Sequence, residues 1–454
     1  MSEEATLDEF AESSDAGDSQ EWQETPIGEL PGDWGMEWLD DIVKINPDGF
    51  FEEDWPSETF EYISLSEASD GEVEDSQTTA LEDAPSRAQR TVRQGDVLVG
   101  TVRPKQRSHG FVSEEHDGKI CSSGFGVLRP EKRLNSRYLL QEILSNRFFF
   151  QMEAYVAGSG YPAVKISDLK KHRVAIPPLP EQRRIATVLY TIDQTIQKTE
   201  EIIEKSQNIK KGLVQNLCTE GAHGHSKYET YRLGPIDLTK PEDWELRSFD
   251  EFSYKIQDGP HITPDYVEEG IPFVSSQNVN PFRESFDYSQ YKKYISEDTY
   301  DEINQNCRPE KGDLIISRRA TIGPTQLIRH EAQFGFFVGV AIIKTDDTVH
   351  NPFLEQLMNW SVMEKVWHLK SPGSTMKTLN LGTIKNQKIP LPPIEEQKKI
   401  TEILRCQDNK IANNERYKRS LQRLKQGLMQ YLLSGKVSTT DTNIQVPDEI
   451  AQYG

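Results

Sequence analysis

Apolar side chains recur at alternating steps of four and three along one stretch of the chain, at Ile185, Leu189, Ile192, Ile196, Thr199, Ile203, Ser206, Lys210, Leu213 and Leu217. That is the heptad spacing of a helix with one seam for a partner. A second stretch repeats it at Ile400, Leu404, Gln407, Ile411, Asn414, Lys418, Leu421, Lys425, Leu428 and Leu432. Polar residues interrupt both seams, so either helix alone would make a poor core. The two are expected to face each other with their apolar ends matched, antiparallel if a pseudo-two-fold relates them. Each follows a proline-rich brake, IPPLPEQRRI from Ile176 and PLPPIEEQKKI from Pro390. Pro180 suits a first helical turn, and Glu181 complements the positive end of the helix dipole. A helix of roughly 36 to 40 residues is about 55 to 60 Å long, long enough to hold two domains apart.

The regions ahead of these helices are mixed. YISLSEAS from Tyr62, GDVLVGTV from Gly95 and FGVL from Phe125 predict strands, whereas RYLLQEILSNRFF from Arg137 and PFLEQLMNWSVMEKV from Pro352 predict helices. They also repeat. At a gapless offset of 215, Gly158-Ser159 matches Gly373-Ser374, Pro177-Pro178 matches Pro392-Pro393, and Glu181-Gln182 matches Glu396-Gln397. Asp193, Lys210 and Leu217 likewise match Asp408, Lys425 and Leu432. Upstream the match loosens: Pro31–Trp34 answers Pro241–Trp244 at 210, and RQGDVLVGTVRP from Arg93 answers EKGDLIISRRAT from Glu310 at 217. A repeat this long is a duplicated domain pair, not a solenoid unit. The fold class expected is mixed α/β (α+β), two heads and two long antiparallel helices forming a coiled coil. The expected boundaries are an acidic disordered tail (1–29), a first head (30–175), a first helix (176–221), a linker (222–235), a second head (236–388), a second helix (389–436) and a C-terminal tail (437–454).

Charge changes the picture only through its distribution. The 454 residues carry a formal charge of −21, yet residues 1–90 hold 27 Asp or Glu against three bases, Lys44, Arg87 and Arg90. The rest is close to neutral, which permits a nucleic-acid partner without demanding one. A salt-adapted proteome would instead spread acid over the whole surface. No apolar run approaches a membrane span, the N-terminus has no secretory h-region, and Cys121, Cys218, Cys307 and Cys406 form no close pair. A reduced, cytoplasmic setting is the expectation.

Candidate chemistry lies in the heads. Arg103, Lys105 and Arg107 in TVRPKQRSHG, and Ser317, Arg318 and Arg319 in ISRRA, fall at predicted strand ends; GSGYPAVK and GSTMKTLN, ahead of each brake, offer Tyr161, Lys165, Ser374 and Lys377; QDGPHITPDY adds Gln257, His261 and Thr263. Arg and Gln read guanine and adenine edges, while Lys and Ser hold phosphates. Taken singly, each is more readily a solvated surface residue. His223 and His225 read as linker residues, not metal ligands. The phosphate loop, the dinucleotide fingerprint, the amino-methyltransferase turn and the zinc-deaminase set are all missing, which counts against a DNA enzyme acting alone.

The twice-used Gly-Ser…Pro-Pro-x-x-Glu-Gln before a long helix, the two Pro-x-x-Trp openings, Ala84-Pro85-Ser86-Arg87-Ala88, Gly95-Asp96-Val97-Leu98 and Gly270-Ile271-Pro272-Phe273 together resemble the specificity subunit of type I restriction–modification systems, over about residues 30–436. The resemblance implies two target-recognition domains, each reading one half of a split double-stranded DNA site, with the helices setting the unread spacer. It implies no active site in this chain. Two methyltransferase subunits using S-adenosylmethionine, and two ATP- and Mg-dependent endonuclease/translocase subunits, would supply the chemistry. The methyltransferase-binding surface would carry over to the helices, including Glu181, Gln182, Glu396 and Gln397. The acidic N-terminal stretch departs from this picture and implies weak DNA binding by the isolated chain. The competing expectation is a coiled-coil scaffold that reads no sequence.

Overall fold

The computed structural model describes residues 21–453 except 132, 157–161, 284, 290, 306, 331–332, 372–376 and 441; counts and absences refer to the described residues. The chain divides into two compact units, Met1–Thr199 with Tyr417–Gly454, and Glu200–Arg416. The boundary cuts through both long helices, Leu179–Thr219 and Ile394–Leu432. Each unit therefore combines one head, the N-terminal half of the helix that follows it and the C-terminal half of the other helix.

In the first unit a six-stranded sheet runs in the order Val43–Ile45, Phe125–Pro130, Val97–Gly100, His109–Phe111, Gly71–Val73, Ala68–Ser69. A four-stranded sheet holds Gln77–Ala80, Thr59–Ile63, Ile120–Ser122 and Ala88–Thr91. Val97–Gly100 is buried along its whole length, which explains why it reads as an unbroken apolar run rather than an alternation. The second unit has the corresponding central strand, Leu314–Ser317, fully buried in a four-stranded sheet with Ser253–Asp258, Val340–Thr345 and Thr325–Leu327. In both units the strand leading into the long helix pairs antiparallel with the opening strand of the head: Arg173–Ile176 with Gly35–Trp38, and Lys388–Leu391 with Glu245–Ser248.

The helix halves run antiparallel within each unit. In the first, Ile185 and Leu189 share a core with Leu428 and Leu432, and further along Asp193 pairs with Lys425 at 2.5 Å. In the second, Val214 and Leu217 share a core with Ile400 and Leu404, and Lys210 pairs with Asp408 at 2.6 Å. Partner numbers fall as residue numbers rise in both. The polar residues that interrupt the seams thus have partners: Lys210 and Lys425 are ion-paired, and Gln407 donates to the Ser206 carbonyl at 2.9 Å.

Several expectations change. Trp22–Thr25 and Gly28–Pro31 form a hairpin, so order begins before residue 30. Its counterpart, Tyr228–Leu233 with Ile236–Pro241, starts inside the stretch expected to be linker. Each single helix expected after the central sheet is a pair, Ser136–Leu144 with Asn146–Ala154, and Asn351–Met358 with Ser361–Leu369. Ser145 breaks the first because its hydroxyl caps the Phe148 amide and returns to the Glu142 carbonyl. In the C-terminal tail Ile450 is fully buried in the core of the first unit. No helix is long and apolar enough to cross a membrane.

Candidate nucleic-acid interface

The basic loops are carried by the central strand of each head, and that strand is held by a buried charge at its start. Gly95 and Gly312 adopt φ of 89° and 97°, a turn that suits glycine. The next residue, Asp96 or Asp313, then takes the amide three residues back, Arg93 or Glu310, at 2.8 Å in both cases. Arg129 binds Asp96 through two bonds of 2.8 Å. In the second head Lys344 stands in its place and splits its charge between Asp313 and Glu310, 2.6 Å from each. Arg129 also reaches Asp48 at 2.7 Å, so each cation serves two carboxylates, the arginine as a fork on one and the lysine as a point charge between both. Burial pushes both aspartate carboxyls above the usual range, and the cation beside each opposes it.

Past the end of the strand the two heads follow the same path. Thr101 and Arg318 each accept a backbone bond from the segment before a short helix, from Val164 at 2.8 Å and from Leu379 at 2.9 Å. Two residues further on, Arg103 and Ala320 are both left-handed, with φ of 49° and 62°. This brings Arg103 against the segment that leads to Lys165 in the first head, its amide bonded to the Pro162 carbonyl, and Arg319 against the segment of Lys377 in the second. The backbone bridges Val102–Ala163 and Arg319–Thr378 join the segments. Arg103, Lys105, Lys165 and Lys377 are exposed. Arg107 is half-buried, donates to Asn146 at 2.7 Å and stacks on Phe149, and Lys105 lies 3.4 Å from Glu153. Gln257 is half-buried next to the end of a strand, and His261 and Thr263 are exposed just beyond it. Tyr161 and Ser374 lie outside the described residues.

Ser317 and Arg318, expected to face DNA, are instead inside the fold, 0% and 5% exposed. The Ser317 hydroxyl donates to the Thr321 carbonyl. The Arg318 guanidinium is committed to Asp258 and to the Leu379 carbonyl.

Glu181, Gln182, Glu396 and Gln397, expected to face a partner subunit, are also inside, none more than 4% exposed. They build the joint between head and helix, and they build it twice. Glu181 and Glu396 accept from the indoles of Trp34 and Trp244 at 3.1 and 3.0 Å. Gln182 accepts from the Asn135 amide and donates to the Arg133 and Pro177 carbonyls. Gln397 accepts from the His350 amide and donates to the Thr348 and Pro392 carbonyls. Every partner is displaced by 215, except the tryptophan at 210. The second oxygen of Glu396 takes the Ala222 amide and His225 at 2.9 and 3.0 Å; that of Glu181 lies 3.4 Å from Ser438 and Thr439. His225 is therefore an anchor, flanked also by Asp243 at 3.1 Å. Its bond to Glu396 holds the imidazole above its ordinary pKa.

A feature of the helices escaped the sequence reading. Ile202 and Ile209 on the first helix are 44% and 53% exposed, and Tyr417 and Leu424 on the second are 52% and 40% exposed. They are the same two positions displaced by 215, seven residues apart and hence on one helical face. Their signal was available: they are large apolar residues off the heptad seam.

Residues 31–207 and again 241–423 match the type I restriction modification DNA specificity domain. The type I restriction enzyme MjaVIII specificity subunit of Methanocaldococcus jannaschii is 27% identical over 334 residues, 72% of this chain and 76% of that protein. A chain solved in work on complex assembly and conformational transition of the type I R-M system aligns with a TM-score of 0.56 at 24% identity, over 90% of this chain and 99% of that one. The type I restriction–modification S subunit from M. genitalium aligns with a TM-score of 0.52 at 16% identity, over 88% and 96%. These two likenesses are of fold.

Proposed function

The chain belongs to the type I restriction modification DNA specificity family, and on that premise we propose that it is the DNA-reading subunit of a type I restriction–modification complex. Each head reads one half of a split, asymmetric site, and the paired helices set the unread spacer. The observation that carries this reading is the doubled joint. Two heads with different loops are fastened to two helices by one repeated set of hydrogen bonds, the construction expected of two interchangeable readers on a common frame.

Within this reading the exposed and half-buried residues of the strand-end loops meet DNA. Arg103, Lys105 and Lys165 serve the first half-site; Gln257, His261, Thr263, Arg319 and Lys377 serve the second. Long cations suit phosphates, while Gln and Arg suit base edges. The apolar pairs Ile202/Ile209 and Tyr417/Leu424 give two copies of one methyltransferase subunit equivalent places to dock, since exposed apolar patches mark interaction sites. The chain itself performs no chemistry. S-adenosylmethionine belongs to the methyltransferase subunits, and ATP with Mg to two endonuclease/translocase subunits.

Single-molecule mapping of adenine methylation tests the proposal, in cells expressing a type I methyltransferase subunit with and without this chain. One split motif appearing only with the chain is the expected result. An assembled complex that adds no methylated motif would refute the reading.

A further inference from the structure

We propose that Arg318 is a positioning residue for the second half-site, a buried latch that sets the loops around it and touches no DNA. This rests on the reading of the second head as a DNA reader. The guanidinium gathers three segments that are distant in sequence. Nη1 donates to Asp258 Oδ2 at 2.5 Å, at the end of the strand Ser253–Asp258. Nε donates to the Leu379 carbonyl at 2.8 Å, just before the short helix Leu381–Lys385. Nη1 also lies 3.4 Å from the Val338 carbonyl. The Arg318 backbone is bonded as well, its amide to Gly339 and its carbonyl to Leu379.

The accessible candidates of this head, exposed or half-buried, hang from those points. Gln257 adjoins Asp258, His261 and Thr263 follow it within five residues, Lys377 precedes Leu379 by two, and Arg319 is the next residue. Arg319 Nε is buried without a hydrogen-bond partner, and the side chain stems from the backbone that Arg318 holds. The first head carries no arginine at the equivalent position. Its equivalent residue is Thr101, whose hydroxyl reaches only the Gly124 carbonyl at 2.8 Å. The loops of the second head thus hang on an ion pair that is 6% and 16% exposed, and its arginine has no counterpart at the equivalent position of the first head.

A latch and a DNA contact make opposite demands on Asp258. Removing its charge frees the arginine: a direct reader would keep its base or phosphate, whereas a latch would open. The test uses the full chain assembled with its methyltransferase and a randomised duplex library, comparing wild type, Arg318→Lys, Arg318→Gln and Asp258→Asn. Ile315→Val serves as a control that destabilises the same sheet without touching the latch.

For Arg318→Gln and Asp258→Asn alike, discrimination against mismatches in the second half-site should fall about tenfold, within the range one base pair contributes, with the first half-site unchanged. Arg318→Lys should fall between, because it keeps the charge and loses the bond to Leu379. The salt dependence should not change, since no phosphate contact is removed. Hydrogen exchange at residues 258–263 and 377–380 should quicken in the same order without DNA. Relaxation confined to one base pair, a shallower salt dependence, or an unaffected Asp258→Asn would make Arg318 a DNA contact and overturn the latch. Relaxation by Ile315→Val would reduce it to general stability. A wild type that selects no motif refutes the DNA reading instead, and the exchange data then judge the latch by itself.

Discussion

Glu181 and Glu396 each use both carboxylate oxygens, and the neighbouring glutamine uses its whole amide. A buried group with three bonds is costly to lose, because its partners are left without water or protein to replace it. Gln397→Leu strands the His350 amide and two carbonyls and should cost about 2–4 kcal/mol, read as a lower midpoint in chemical unfolding. Lys398→Ala, at an exposed position beside it, should stay within about 0.5 kcal/mol. Equal effects would mean that the joint is not the fastening described. His225 adds a pH dependence of definite sign. Its proton is held by Glu396 first and by Asp243, so its contribution is fully present below the unfolded-state value near 6.5 and is lost as pH rises through the raised folded value. Wild type should lose stability on the alkaline side of 6.5 relative to His225→Gln, with the imidazole titrating above 6.5 by NMR. A parallel pH profile for the two proteins would contradict this. Gly221 closes the same corner at φ 83°, where a side chain would collide with Glu396 and His225.

At the scale of elements, the ion pairs across the helices are the test of register. Lys210 and Asp408 are 15% and 19% exposed, so losing one partner should cost about 1–3 kcal/mol, less than for a fully dry pair. Asp408 also accepts from Gln356 Nε2 at 2.7 Å, while Gln356 Oε1 is buried without a partner. Exchanging the charges, Lys210→Asp with Asp408→Lys, lets that amide turn over and offer its oxygen to the new lysine. The double variant should recover most of what either single change loses, and a double-mutant cycle measures how much. This level of structure was the most legible in the sequence, because a heptad seam is a local pattern and the 215 offset exposes its copy. The partners of Glu181 and Gln182 were not legible. Pro31–Trp34 and the Glu-Gln pair were both visible as repeats, but only folding brings positions about 150 residues apart within hydrogen-bond reach. Read without partners, a repeated polar pair looks like a surface. Arg318 misled for the same reason: a basic residue at a strand end is usually solvated, and Asp258, 60 residues earlier, gave no hint that it would draw the guanidinium inward. The helix breaks at Ser145 and Trp360 were lost because the apolar pattern runs through both.

For the whole molecule the unresolved tension is between acidity and a DNA partner. The first 20 residues carry seven acids and no base, and the first 90, with 27 acids against three bases, exceed the whole net charge of −21. Charges that repel the duplex without contacting it act at long range, and salt screens them over about 10 Å at 0.1 M. Charges that neutralise phosphates release counterions, and the affinity they provide falls steeply with salt. The two effects oppose each other in the intact chain, which should show weak binding with a shallow salt dependence. Deleting residues 2–20 removes repulsion while leaving Arg103, Lys105, Lys165, Arg319 and Lys377 in place. The shortened chain should therefore bind duplex several-fold more tightly at about 50 mM salt, lose affinity more steeply as salt rises, and converge on the intact chain near about 300 mM. Fluorescence anisotropy with one labelled duplex, titrated at several salt concentrations, measures all three. Identical curves for the two proteins would mean that the acidic N-terminus does not act on the DNA, and the origin of the net charge would then have to be sought in a partner of the complex.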